Sequence, residues 1–190
     1  MTTTTQTFPI HGVDDAPEGS QAILSGIQKS LGGIPNLFGL FSASPAVLKG
    51  YTTLSELLDK DTAFDETERQ VLFLSVSAEN GCTYCVAAHS TISGMKKVPA
   101  DVVQALRDGT PLSDPKLEAL RQFGLAVVRE RGWVQEADVA AFLAAGYTRR
   151  HVLEVVLAIS LKTISNYVNH MADTPLDDMF APQAWSSQGA

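Results

Sequence analysis

The spacing of the apolar residues constrains the fold most, because they recur every three or four positions through much of the chain. Between Glu18 and Leu31, for example, Ile23, Leu24 and Ile27 fall on one side of a helix. Residues 71–78 are apolar nearly all round, which is typical of a buried helix. No segment alternates like a half-buried strand or ends in a hairpin turn. The sequence therefore predicts an all-α protein.

Capping residues and prolines mark the helix starts. Asp65 and Glu68 have the spacing of a capping box, and Asp114 followed by Pro115 supplies a cap and a first-turn proline. Thr148 is expected to cap the last long helix. The predicted helices include residues 18–31, 45–59, 82–95, 99–107, 135–145 and 149–171.

A chain of 190 residues is long enough for one compact domain. We predict an extended N-terminal lead-in over residues 1–17, a single all-helical domain over residues 18–171, and a C-terminal tail over residues 172–190. The last helix should pack on the core through its apolar stripe. That predicted stripe consists of Val152, Val155, Val156, Ile159 and Ile164.

Charge and hydropathy exclude several classes of partner. The formal net charge is -7, and the 14 basic residues are scattered, so we expect no nucleic-acid partner. No apolar run approaches the ~20 residues that a membrane-spanning helix needs. Residues 1–7 lack the basic and apolar regions of a signal peptide. These features predict a cytoplasmic protein without a membrane partner.

The two cysteines, Cys82 and Cys85, form a C-x-x-C pair, with His89 one helical turn further on. If a helix begins at Cys82, its first-turn amides and positive dipole end favour thiolate over thiol. Peroxide reduction needs a thiolate that becomes a sulfenic acid and a second thiol that condenses with it. The spacing of Cys82 and Cys85 suits both roles, and His89 could accept or relay the thiol proton.

Other interpretations of the pair stay open at this point. Cys82 and Cys85 could be small buried hydrophobic residues, or they could form part of a zinc site with His89. The remaining histidines stand singly, whereas structural zinc takes four protein ligands. A c-type haem would need a histidine where Val86 stands, and a thioredoxin-like protein would need a βαβ context.

The residues around the pair resemble a known family. Residues 68–71 (ERQV) and 78–90 (AENGCTYCVAAHS) look like the alkylhydroperoxidase D (AhpD) group of the carboxymuconolactone decarboxylase superfamily. The resemblance covers residues 45–130, and its specific part is the C-x-x-C-x-x-x-H core after a buried helix. Residues 166–176 are similar to a subgroup of uncharacterised peroxidase-related members.

The resemblance implies an AhpD-like helical bundle that assembles as a homo-oligomer and reduces hydroperoxides without a cofactor. Its substrate would be a small hydroperoxide, and a dithiol reductant or reductase would restore the thiols. By the same resemblance, Cys85 is the peroxidatic cysteine, Cys82 resolves the sulfenic acid, and His89 belongs to a proton relay.

The chain departs from the family pattern at one relay position. The family usually has a glutamate twelve residues before the first cysteine, where this sequence has Gln70. Because glutamine cannot take a proton, Glu79 and Glu68 are candidate substitutes for the missing base. Glu68 could instead cap its helix, and Glu79 could be a solvated charge.

A second polar group falls near the end of the last helix. His170, Asn166 and Asn169 lie at helical spacing on an otherwise apolar segment. His170 is either a hydrogen-bonded structural residue or part of the lining of the cysteine pocket. Tyr84, between the two cysteines, could donate a hydrogen bond to peroxide or serve in packing.

These patterns favour a thiol-dependent peroxidase. Two alternatives remain from the sequence: a carboxymuconolactone decarboxylase-type lactone enzyme, and a non-catalytic redox sensor in which the disulfide acts as a switch. Members that act on the lactone generally lack the cysteine pair, which weighs against the first alternative. A slow thiol with a pKa near ~8.5 would favour the sensor.

Overall fold

A computed structural model describes residues 8–186, which form helices joined by short loops and contain no strand. The predicted all-α class is therefore confirmed for this range. Seven residues of the predicted lead-in and four of the predicted tail lie outside the described residues. The described helices are α1 (Glu18–Leu31), α2 (Asn36–Phe41), α3 (Pro45–Lys60), α4 (Glu66–Glu79), α5 (Thr83–Met95), α6 (Ala100–Asp108), α7 (Pro115–Arg129), α8 (Glu136–Ala144), α9 (Arg149–Ala172) and a 3-10 helix (Ala181–Gln183).

The caps predicted at Asp65 and Asp114 are confirmed, and Thr148 is the N-cap residue of α9. The Asp65 side chain accepts a hydrogen bond from the backbone amide of Glu68, and the Glu68 carboxylate accepts one from the backbone amide of Asp65. Asp114 accepts from the backbone amides of Lys116 and Leu117 at the start of α7. These bonds satisfy amides that have no partner within the helix.

Helix α4 lies at the centre of the bundle and packs against α5, α6, α7 and α9. Its residues 70–77 are all buried, as their apolar character predicts. Ser75 and Ser77 are the polar exceptions within 71–77, and the Ser75 hydroxyl is satisfied by the Val71 carbonyl at 2.6 Å. A helix enclosed on all sides gives its neighbours α5 and α9 a fixed surface to pack on.

The predicted apolar stripe of α9 packs on the core except at one residue. Val155 is buried, Val152, Ile159 and Ile164 are partly buried against the core, and Val156 is 49% exposed. The buried face also includes polar side chains that the stripe did not predict. No helix within residues 8–186 combines the length and apolar content required to cross a bilayer. The buried residues of α9 are Val155, Ala158, Leu161, Lys162, Ser165, Asn166 and Asn169.

The described part of the lead-in packs on α2. The backbone amide of His11 donates to the carbonyl of Gly39 at 3.1 Å. A Cβ at Gly39 would come within 2.7 Å of the Ile10 side chain and 2.8 Å of the His11 carbonyl. This close approach requires glycine in α2.

The described part of the tail crosses the cysteine helix. Asp177 accepts hydrogen bonds from the backbone amide of Asn36 at 3.0 Å and from the hydroxyl of Tyr84. Further along, the indole of Trp185 donates to the Arg107 carbonyl at 2.9 Å. The tail therefore ties α2 and α6 to α5, and Tyr84 serves this packing.

We expect Asp177→Ala to destabilise the protein by about 2 kcal/mol, because it removes a charged acceptor and leaves half-buried donors without a partner. Urea unfolding measures the change. Asp178→Ala is the matched control, since its side chain is exposed and makes no described hydrogen bond, so its effect should stay within about 0.5 kcal/mol. Equal effects of the two substitutions would contradict the tethering role of Asp177.

Candidate active site

The turn between α4 and α5 places both cysteines in the core. Gly81 adopts a left-handed backbone conformation with φ +69°, and the backbone amide of Cys82 then donates to the Ser77 carbonyl at 2.9 Å. Cys82 is the N-cap residue of α5, and Cys85 lies in its first turn. Both cysteines are free rather than joined in a disulfide, with exposures of 1% for Cys82 and 2% for Cys85.

Asn169 of α9 links the two sulfurs. Its Nδ2 lies 3.2 Å from Cys85 Sγ and 3.7 Å from Cys82 Sγ, so one amide nitrogen is within hydrogen-bond distance of both sulfurs. Its buried Oδ1 has no described hydrogen-bond partner. One amide therefore holds the sulfur pair and presents an unused acceptor beside it.

Neighbouring Asn166 holds the turn that carries the cysteines. Its Oδ1 accepts from Asn80 Nδ2 at 2.9 Å, and its Nδ2 donates to the Ser77 hydroxyl at 3.4 Å. The last helix therefore binds the end of α4 and the turn before Cys82. These two hydrogen bonds fix the turn before α5 relative to α9.

His89 lies in a chain of hydrogen bonds that starts in the core. Lys162 Nζ donates to His89 Nε2 at 2.8 Å, and His89 Nδ1 donates to Gln70 Oε1 at 3.0 Å. Gln70 Nε2 in turn donates to Glu66 Oε1 at 3.0 Å. The amide of Gln70 thus holds the imidazole in the tautomer that carries its proton on Nδ1.

Lys162 is a buried cation, with 1% of its surface exposed. Its ammonium lies 5.6 Å from the ring centre of Phe73. Burial, and then the charge of Lys162, lower the pKa of His89 well below its ordinary value. The imidazole is therefore neutral at physiological pH and acts as an acceptor toward Lys162.

The two thiols have opposite tendencies to ionise. Burial alone would raise the pKa of Cys85, but the hydrogen bond with Cys82 and the charge of Lys162 lower it to about 5. Hydrogen bonds with Ser165 and Asn166 act in the same direction. The bond with Cys85, together with burial, raises the pKa of Cys82. The pair is thus one thiolate, Cys85, beside one thiol, Cys82.

Tyr51 of α3 forms another wall of the site. Burial raises its pKa, and its hydroxyl also responds to the charges of Lys162 and Cys85 and to a hydrogen bond with Ser165. Its ring packs against Phe41 with centroids 4.9 Å apart. The tyrosine therefore brings a hydroxyl to the side of the thiolate.

A cleft of about 410 Å³ opens on the outer side of His89. Gln70, Phe73 and His89 line its inner part, and Glu66 lies among its more exposed residues. Neither cysteine lines it. A reactant must therefore pass the side chains around His89 or another wall to reach the sulfurs.

Four residues predicted from the sequence meet at this site: Cys82, Cys85, His89 and Gln70. In the described part of the chain, no three histidine, cysteine, aspartate or glutamate side chains gather as a metal site.

The other predicted residues lie elsewhere. Glu68 is the capping residue of α4, and its Oε1 also pairs with Lys116 at 2.8 Å. Glu79 forms a bidentate pair with Arg129 at 2.7 and 2.8 Å near the surface. Neither carboxylate contacts the thiols. His170 is exposed on the far side of α9.

Sequence reasoning missed Lys162, Ser165 and Tyr51. The signal for Lys162 was its position one helical turn before Asn166 and two before Asn169, on a helix whose buried face is otherwise apolar or neutral. A lone lysine on such a face is costly to bury unless it serves a partner. Tyr51 gave no such signal, because it fits an ordinary apolar stripe.

The fold is similar to that of several solved structures. One is the alkylhydroperoxidase AhpD core of an uncharacterized peroxidase-related protein from Ralstonia eutropha JMP134, with a TM-score of 0.81, 24% identity, and coverage of 94% of this chain and 95% of that chain. An uncharacterized peroxidase-related protein from Silicibacter sp. TM1040 has a TM-score of 0.77 and 18% identity, covering 95% and 97%. The debrominase Bmp8, a variant solved in complex with 2,3,4-tribromopyrrole, has a TM-score of 0.78 and 16% identity, covering 95% and 96%.

Sequence comparison gives a narrower match. No curated protein matches the chain. Residues 45–123, which run from the start of α3 into α7 and include both cysteines and His89, match the carboxymuconolactone decarboxylase family. Over these residues the chain is similar to the carboxymuconolactone decarboxylase family, and the chain has the AhpD-like helical fold.

Proposed function

We propose that the protein is a thiol-dependent peroxidase that reduces hydrogen peroxide or a small alkyl hydroperoxide. The observation that carries this proposal is the pair of sulfurs that share the Asn169 amide, with the pKa of Cys85 lowered and that of Cys82 raised. Only a thiolate attacks the O–O bond at a useful rate. The neighbouring thiol is placed to resolve the product.

The proposed cycle has two chemical steps. The Cys85 thiolate attacks one peroxide oxygen, the O–O bond breaks, and Cys85 becomes a sulfenic acid while the other oxygen leaves as water or an alcohol. The Cys82 thiol then attacks the sulfenic sulfur, a disulfide forms, and water is released. An external dithiol, such as one supplied in the reducing cytoplasm, restores both thiols by exchange.

Gln70 at the relay position is compatible with this cycle. A carboxylate base would be needed to remove a proton from a neutral Cys85. Since the pKa of Cys85 is already lowered to about 5, no base is required at neutral pH. The burial of both sulfurs favours small hydroperoxides and restricts further oxidation of the sulfenic acid.

Debromination is a second candidate, because the neighbour Bmp8 is a debrominase solved with 2,3,4-tribromopyrrole. A dithiol could also supply the two electrons that replace bromine by hydrogen. The enclosed sulfurs suit a two-oxygen substrate better than a halogenated ring. Lactone decarboxylation, named in the family, gives no role to the cysteine pair.

We also propose that the protein works as a homo-oligomer. The outer face of α9 carries apolar side chains that no described element covers, among them Leu153, Val156 and Met171. A slow redox sensor would use the same sulfur pair, so reaction rate separates it from a peroxidase.

We expect Cys85→Ser to abolish hydroperoxide consumption under a saturating dithiol, because it removes the attacking sulfur. Cys82→Ser should consume one equivalent of hydroperoxide and stop as the Cys85 sulfenic acid, which dimedone labelling and mass spectrometry detect. The chain has two cysteines, so each variant retains one cysteine, whose oxidation state mass spectrometry can follow.

Consumption at the wild-type rate by Cys85→Ser would refute the proposed peroxidase. Bromide release from 2,3,4-tribromopyrrole at a rate exceeding peroxide turnover would favour debromination instead. Turnover that persists in a variant lacking both cysteines would point to chemistry outside the sulfur pair.

The pH dependence of Cys85 alkylation follows from its lowered pKa. A lowered pKa means that the thiolate persists above about pH 5 and is lost as the pH falls through that value. Iodoacetamide labelling of Cys85, followed by mass spectrometry, should therefore be constant at neutral pH and halve near about pH 5. A midpoint near ~8.5, that of a free cysteine, would contradict the assigned ionisation.

A further inference from the structure

We propose that Lys162 is a catalytic residue of this site: it is the counter-ion of the Cys85 thiolate and the acid that protonates the leaving oxygen. The inference rests on the proposed peroxidase function and deepens it. Lys162 is the buried donor at the inner end of the hydrogen-bond chain through His89. Neither the family pattern nor the C-x-x-C motif draws attention to it.

The first argument is charge balance. Among residues 8–186, no carboxylate lies within ion-pair distance of Lys162, although its side chain is almost fully buried. A buried ammonium without a partner is strongly unfavourable. Cys85 lies one helical turn before His89, the hydrogen-bond partner of Lys162, so its thiolate is the anion placed to neutralise the ammonium.

The second argument concerns His89, which the motif suggests as the proton carrier. Its Nε2 accepts from Lys162, and its Nδ1 donates to Gln70, whose own amide nitrogen is occupied by Glu66. Glutamine cannot take the proton onward. His89 therefore has no free basic nitrogen for the thiol, and it acts as a positioning residue that aims the ammonium.

The third argument is the spacing of the groups on the two helices. Lys162 and Asn169 lie two turns apart on α9, and they contact His89 and Cys85, which lie one turn apart on α5. These two contacts bring the Cys85 sulfur, the Lys162 ammonium and the unpartnered Asn169 Oδ1 onto the packed faces of α5 and α9. A hydroperoxide admitted between these two helices would meet a nucleophile, an acid and an acceptor for its O–H.

The chemical step balances with these groups alone. The thiolate attacks the nearer oxygen, the O–O bond breaks, and the departing alkoxide or hydroxide takes a proton from the Lys162 ammonium. The products are Cys85 sulfenic acid, an alcohol or water, and a neutral amine. The positive and negative charges thus vanish together, and no unpaired charge is left in the core.

Reduction reverses this charge change. When an external dithiol reduces the disulfide, one of its two protons goes to Cys82 and the other to Lys162, while Cys85 remains a thiolate. Lysine protonation is therefore coupled to the redox state of the pair. The titratable groups that face Lys162 from neighbouring helices are Tyr51 on α3, Cys82, Cys85 and His89 on α5, with Glu66 on α4 reached through Gln70.

The test compares Lys162→Met, Lys162→Arg and, as a matched control, Lys49→Met, which removes an exposed lysine of α3. Cys85 alkylation is followed against pH in each. Lys162→Met should move the midpoint upward by about three pH units or more, toward the free-cysteine value. Lys162→Arg and Lys49→Met should keep it low, because both retain a cation at position 162.

The rate constant for oxidation of Cys85, divided by the fraction of Cys85 present as thiolate, then separates the role of Lys162 as an acid from its role as a counter-ion. With hydrogen peroxide, both substitutions at Lys162 should lower the constant about 100-fold or more, since arginine does not release its proton. With peracetic acid, whose carboxylate leaving group needs no acid, the loss should be less than about 10-fold. Equal losses with the two oxidants would overturn the acid role.

A measurement on the unmodified protein covers the case in which a variant fails to fold. Between about pH 6 and 8, the equilibrium constant for reduction of the disulfide by dithiothreitol should not vary with pH, because Lys162 takes the proton that Cys85 does not keep. If this equilibrium constant rose tenfold per pH unit, Lys162 would stay charged in both redox states, and the proposal would be overturned. Both this equilibrium and the alkylation midpoints can be read even if no hydroperoxide is turned over, so failure of the peroxidase function remains distinguishable.

Discussion

The packing of α9 across α4 and α5 is the constraint on which the rest of the site depends. It forms two contacts between distant parts of the chain, Lys162 with His89 and Asn169 with Cys85. The same packing lets Asn166 brace the turn before Cys82. Without this crossing, the C-x-x-C pair would be two thiols at a helix start with no cation and no amide beside them.

Buried polar groups are costly, and this core contains several of them. Most are satisfied by one another: Gln70 bridges His89 and Glu66, and Asn166 binds the end of α4 and the turn that follows it. Asn169 Oδ1 is one of four buried side-chain atoms without a described partner, and it belongs to the amide that contacts both sulfurs. In the proposed reaction, this free acceptor would bind the reactant.

Much of the fold could be predicted because the helix boundaries depend on residues that are close together in the sequence. Asp65 with Glu68, and Asp114 with Pro115, act through contacts within one turn, which the sequence reveals directly. The site was only partly predictable. Cys82, Cys85 and His89 share one helix, but Lys162 lies 73 residues from His89, and no local pattern joins them.

The sequence by itself determined that the chain is helical, where its helices begin, and that two cysteines and a histidine lie within the first two turns of one helix. These properties depend on neighbours within a few residues. The tertiary structure decided which polar residues of α9 are buried, and hence that a lysine contacts His89 and an asparagine contacts the sulfurs. Burial and charge pairing depend on contacts between helices that are far apart in the sequence. The spacing of residues within one helix does not reveal those contacts.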